Sequence, residues 1–213
     1  RRSWGCGPWS VAKLGTRMHD GMWIPLQHFV DRLKQPRTRA DEIRQLRERL
    51  RREPSATEVS GEESAASAEL LRLRRELKAA IGTVMSCRTC AIGHPPPHGH
   101  FKGGHCCGLV TEDAWNDDEI AALRQSGTLP QDLRLPTGDH AGCAFRGPTG
   151  CSLAVENQPN LCVRYLCPDL TREVYARGDG PRIDALCTEM EAVYLRFISL
   201  RAQRMAALEE AGQ

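Results

Sequence analysis

Eight of the chain's ten cysteines fall between Cys87 and Cys167, and only Cys6 and Cys187 lie outside that stretch. No other feature restricts the fold as strongly. Thiols at this density in one stretch are bridged to one another or bound to metal. The choice between the two depends on the compartment. The opening residues lack the apolar core of a secretory signal, because Trp4, Trp9 and Trp23 are interrupted by Gly, Ser, Lys and Arg. No run of about 18 apolar residues exists that could span a bilayer. The expected location is therefore cytoplasmic, with no membrane partner. In a reducing compartment structural disulfides are rare. Metal becomes the expected reason for the cluster, and a disulfide scaffold is the alternative. A thioredoxin-like pair at Cys87 and Cys90 lacks the strand and helix such a motif needs.

The expected metal ligands are Cys87, Cys90, Cys106, Cys107, Cys143, Cys151, Cys162 and Cys167. Cys87 and Cys90 have the two-residue spacing that lets two thiolates meet one ion across a tight turn. Cys106 and Cys107 are adjacent, so their side chains tend to diverge toward different sites. Cys162 and Cys167 can converge across four intervening residues. Eight thiolates satisfy two four-thiolate sites, or one such site with the remainder buried or mixed with His. A four-thiolate zinc site carries about two negative charges, which Arg88, Arg146 and Arg164 can offset. His94, His98, His100 and His105 lie between Cys90 and Cys106. The first three read as a solvated loop, or through the His98-x-His100 spacing as ligands of one ion, while His105 directly precedes a thiol. Cys187 reads as a buried, inert thiol.

The flanks are simpler. Residues 1–36 have no clear periodicity; the chain opens on Arg, which suggests a trimmed start or an over-long reading frame. Thr38 to Glu53 predicts a helix, with Thr38 as cap and Ile43, Leu46 and Leu50 at helical spacing. Pro54 to Ser67 is rich in Ser, Glu and Ala and reads as a linker or disordered loop. Ala68 to Met85 predicts a second helix with Leu70, Leu73, Leu77, Ile81 and Val84 on one stripe, and Arg72, Arg74, Arg75 and Lys78 mostly off it. These two helices make residues 37–86 a helical hairpin with a polar linker, or alternatively form a short intermolecular coiled coil. Asn116 to Gln125 predicts a short helix, whose Asp117, Asp118 and Glu119 are accounted for by its positive end. A last helix begins near Pro181 and runs towards Leu208. The stripe of Ala68 to Met85 is expected to pack on that helix around Leu186, Val193 and Phe197; a homodimer or a protein partner is the rival occupant.

The expected architecture is mainly α, with an irregular cysteine-rich, metal-stabilised domain at 87–170 bracketed by helices at 37–86 and 171–213. Charged residues make up 26% of the chain but nearly cancel to +2, so nucleic-acid binding is not expected. The basic residues of the N-terminal third read as a solvated helix face, or as a weak contact for an acidic partner.

Read together, Cys87-x-x-Cys90, Cys106-Cys107, Cys143-Ala144-Phe145, Gly150-Cys151-Ser152-Leu153 and the closing Gln158-Pro159-Asn160-Leu161-Cys162-Val163-Arg164-Tyr165-Leu166-Cys167 resemble the YkgJ-type zinc- or iron-chelating CxxCxxCC proteins. The family's closing block is rich in Arg and Pro, and this chain reproduces only part of it. The His-rich insertion after Cys90 is a further departure, and bears on whether Cys87, Cys90, Cys106 and Cys107 share one site. The resemblance implies chelation of zinc or iron. The similar cysteine motif of flagellin lysine N-methylases, which carries an iron–sulfur cluster, implies a [4Fe-4S] cluster as the alternative cofactor. No triad, phosphate loop or paired-carboxylate motif stands out, and a methyltransferase domain has no room here. The expected function is metal binding with a mainly structural metal. The alternative is an iron–sulfur protein with a redox or protein-modifying role.

Overall fold

Thr38 opens the first helix as its spacing requires. Its hydroxyl accepts from Asp41 N at 3.1 Å, and the Asp41 carboxylate accepts from Thr38 N at 3.3 Å. This reciprocal cap starts α1 (Arg39–Arg52). The computed structural model describes residues 22–23, 38–86, 100–101, 111–136, 143–147 and 150–212. Ahead of α1 stands a two-residue strand, β1 (Met22–Trp23). After it come α2 (Gly61–Ile81), β2 (His100–Phe101), α3 (Thr111–Ala114), α4 (Asp117–Gln125) and the hairpin strands β3 (Arg146–Gly147) and β4 (Gly150–Cys151). The chain closes on α5 (Asn160–Arg164), α6 (Pro168–Ala176) and α7 (Gly180–Ala211). The described residues are mainly helical. β1 pairs antiparallel with β2, Met22 opposite Phe101, so the N-terminal segment supplies a strand to the cysteine zone.

The supposed linker is partly helix. Ala56–Glu58 is a single 3-10 turn, and α2 begins at Gly61, so residues 61–67 belong to it. Ser60 caps that end by accepting from Glu63 N at 3.2 Å. Glu63 is fully buried and held by partners remote in sequence. Gln125 Nε2 donates to it at 2.7 Å, and Arg204 Nε donates at 2.9 Å. Ser- and Glu-rich composition suggests solvation, but these tertiary contacts give the segment a place in the core. α2 ends earlier than Met85, at Gly82, whose φ of +63° is left-handed and suits glycine.

Two apolar clusters hold the molecule. In the first, Leu70, Leu73, Leu77 and Ile81 of α2 meet Ile183, Cys187, Met190 and Phe197 of α7, with Val163, Leu170 and Val174 between them. Leu186 and Val193 pack at its margin. The α2 stripe is thus covered within the chain by α7. In the second, Ile43, Leu46 and Leu50 of α1 meet Trp115, Ile120, Leu123, Leu133, Phe145 and Leu153. The α1 and α2 stripes therefore do not face each other as a hairpin: each enters a different cluster. Both clusters draw on the cysteine zone, through Val163 and Leu166 in the first and Phe145 and Leu153 in the second.

Candidate functional site

The described thiols sit at the edges of these clusters. Cys143 begins the turn that leads into β3, with Arg146 N donating to Cys143 O at 2.9 Å. Its position is set from below by α3: Thr111 Oγ1 accepts from Ala144 N at 3.0 Å and donates to Glu42 Oε2 at 2.5 Å. Phe145, two residues on, buries its ring against Trp115 at 5.1 Å. The β3–β4 reversal brings Cys151 opposite Arg146, and Gly150 makes it with a φ of +120°. Arg146 is buried behind Cys151, which is exposed. Cys162 lies on α5, half-buried against the second cluster, as Cys143 is. Cys167 is the N-cap of α6; its sulfur accepts from Leu170 N at 3.4 Å.

These environments act on the sulfurs in two ways. Burial pushes the Cys143 thiol up, because a thiolate is costly away from water, and the Phe145 backbone and the Thr111 hydroxyl oppose that shift. At Cys167 the sulfur accepts a backbone N–H at the first turn of α6. Arg164, two residues after Cys162, is mostly buried and pairs with Glu191 at 3.3 Å.

Sequence reasoning missed the support beneath α5. Glu119 was accounted for by the macrodipole of its own helix, yet its carboxylate leaves that helix and caps another. It accepts from Asn160 N at 2.8 Å, Asn160 Nδ2 at 2.9 Å and Leu161 N at 3.1 Å. The side chain is buried, and burial holds its pKa above the ordinary carboxylate range against those donors. Behind Asn160 lies Arg74, also fully buried. It donates to Ser126 Oγ at 2.6 Å and to Asn160 Oδ1 at 3.4 Å. Burial lowers its pKa to about 10, with Glu119 the first of the charges that oppose the shift. A signal was present: Glu119 stands three and four residues before Ala122 and Leu123, on the face that α4 buries.

The approach to Cys87 is fastened as well. Glu173 of α6 accepts from Met85 N at 2.9 Å and Ser86 N at 3.0 Å. Arg177 donates to the carbonyls of Ile81 at 2.6 Å and Thr83 at 3.0 Å. The helix capped by Cys167 thus holds the residues that precede Cys87 in the chain.

Cys87, Cys90, Cys106 and Cys107 lie outside the described residues, as do Arg88, His94, His98 and His105. Among the described residues, no three His, Cys, Asp or Glu side chains converge as a metal site. Of the described thiols, Cys143 and Cys162 border the second cluster and Cys167 the first, while Cys151 is exposed. Cys187 differs from its expected inert state: it is disulfide-bonded, and its partner is none of Cys143, Cys151, Cys162 and Cys167. Its sulfur approaches the Arg164 carbonyl oxygen at 3.8 Å. No described helix is long and apolar enough to cross a membrane. Compared with known proteins, the chain matches no family model, no curated protein and no solved structure.

Proposed function

We propose that this chain is a metal-binding protein that chelates zinc or iron through its cysteine cluster, with the metal mainly structural. The observation that carries the reading is the hydrogen bond from the Leu170 N–H to the Cys167 sulfur at the start of α6. Amides aimed at sulfur favour thiolate, the form that ligates metal. Desolvation disfavours the Cys143 thiolate, and a bound ion would offset that cost. Soft thiolate donors suit zinc and iron–sulfur centres. Cys143, Cys151, Cys162 and Cys167 supply part of the ligand set. Cys87, Cys90, Cys106 and Cys107 supply the rest in this reading, as the resemblance to the YkgJ-type family implies. The packing of α6 on residues 81–86 favours a site to which both Cys167 and the Cys87–Cys90 pair contribute.

The cytoplasm is the proposed location, where thiols stay reduced. The disulfide at Cys187 is the one feature that pulls the other way. Elemental analysis and thiol titration of protein purified without oxygen test both points. Stoichiometric zinc in a colourless protein, with at least eight titratable thiols, is the expected result. A brown protein with iron and sulfide assigns the iron–sulfur alternative. Absence of both metals, with the eight thiols paired as disulfides, refutes the proposal.

A further inference from the structure

A second site lies away from the cysteines. The outer face of α1 and the turn Pro130–Asp132 enclose an open cleft of about 410 Å³, lined by Arg47, Arg51, Pro130, Gln131 and Arg134. Three of these five residues are arginines, and none is acidic. Arg47 and Arg51 are one helical turn apart on the same face. Like charges at that spacing destabilise a helix unless something offsets them.

The surroundings do little to offset them. Arg47 spends Nε and Nη2 on a single carbonyl, that of Leu133, at 3.1 and 2.8 Å. The bond orients its guanidinium without neutralising it. Arg134 donates Nε to the carbonyl of Gln131 at 3.3 Å, again a neutral partner. Among the described residues neither has a carboxylate partner. Arg51 pairs with Glu48 at 3.2 Å, but Glu48 is shared with Arg52 at the same distance. Asp132, the nearest acid on the facing turn, folds its carboxylate back to accept from Leu129 N at 2.8 Å. Two arginines of α1 outside the cleft are placed differently: Arg44 pairs with Asp41 at 2.5 Å and Arg49 with Asp117 at 2.7 Å. Within the cleft, Arg47 and Arg134 spend their bonds on backbone carbonyls, which leave their charge in place.

We infer that this cleft binds a tetrahedral dianion of the phosphate class. Planar guanidinium groups donate paired N–H bonds that match phosphate oxygens. One arginine pre-set by a backbone carbonyl lowers the ordering cost of the contact. The same chemistry is offered by a free phosphate ester and by a phosphorylated side chain of a partner protein.

Calorimetric titration of the full chain with inorganic phosphate, at neutral pH and fixed ionic strength, tests the inference. Saturable binding to one site is expected, with chloride giving no comparable heat. Arg51→Gln and Arg134→Gln, both exposed, should each weaken binding at least threefold, and the double variant at least tenfold. Their thermal midpoints should match the parent's, which separates lost binding from lost folding. Arg172→Gln, which removes an exposed arginine on α6, should leave affinity within twofold. A serine-phosphorylated peptide that binds more tightly than inorganic phosphate assigns the site to a modified partner; equal or weaker binding assigns it to a free ester. No saturable binding overturns the inference, as does equal affinity in the double variant or equal weakening by Arg172→Gln.

Discussion

Glu119 offers the sharpest test of how α5, which carries Cys162, is held. One of its carboxylate oxygens accepts two donors from Asn160, and the other accepts Leu161 N. In Glu119→Gln, the amide oxygen can keep the Asn160 pair, but the new NH₂ then faces the Leu161 N–H. A buried backbone donor left without an acceptor costs about 1–3 kcal/mol. Arg74 also loses the opposing charge nearest its buried guanidinium. A loss of about 2 kcal/mol is expected, or ~4–8 °C in Tm for a chain of this size. Glu119→Ala abandons all three donors and isolates Arg74, for which about 3–5 kcal/mol is expected. Thermal unfolding by circular dichroism measures both. Hydrogen exchange supplies the local readout, since the amides of Asn160 and Leu161 should lose protection before those of α2 do. A Tm within ~1 °C of the parent in Glu119→Ala, or unchanged protection at those two amides, would show that α5 is held by something else.

Cys167→Ala should lower bound zinc or iron and the Tm together, whereas His98→Ala should change neither; metal analysis of matched preparations gives the comparison, and metal loss confined to the His98 variant reverses the ligand ranking. Glu173 has its pKa lowered by the amides of Ser86 and Met85. Because the folded value lies below the unfolded one, its contribution is present above the unfolded value and is lost as pH falls through the folded value, below about 4.5. The amides of Met85 and Ser86 should therefore exchange like those of Glu173→Gln at acidic pH and more slowly than them at neutral pH; no difference at neutral pH refutes the clamp. Phe197→Ala, in the wall between α2 and α7, should cost about 3–5 kcal/mol by denaturant unfolding, while Met205→Ala, on the exposed end of α7, should stay within about 0.5 kcal/mol.

The helical stripes were legible because their period is local. Leu70, Leu73 and Leu77 recur at helical spacing, and the facing Ile183, Leu186, Met190 and Phe197 do the same, so their mutual burial followed from the need to cover both. What was hidden depends on partners distant in sequence. Residues 61–67 read as solvated, but Glu63 is neutralised by Arg204 and ordered by Gln125. Arg74 and Glu119 read as surface charges, yet they face one another across the buried start of α5. For the candidate site, the thiols themselves were plain from composition. Their supports were not: the Thr111 hydroxyl under Cys143 and the Leu170 amide on Cys167 are ordinary residues, made relevant only by where the fold sets them. Cys187, read as inert, shows the same limit, since a bond to another cysteine has no local signature.

The covering helix α7 follows every thiol of the cluster in chain order. At a ribosome working at roughly 5–20 residues per second, the 32 residues of α7 take about 2–6 s to appear. Throughout that interval the leucines of α2 lack their cover, and Cys143, Cys162 and Cys167 hang from a half-built scaffold. The order of the chain thus leaves the α2 stripe exposed until α7 is made, an interval in which another apolar surface can compete for it.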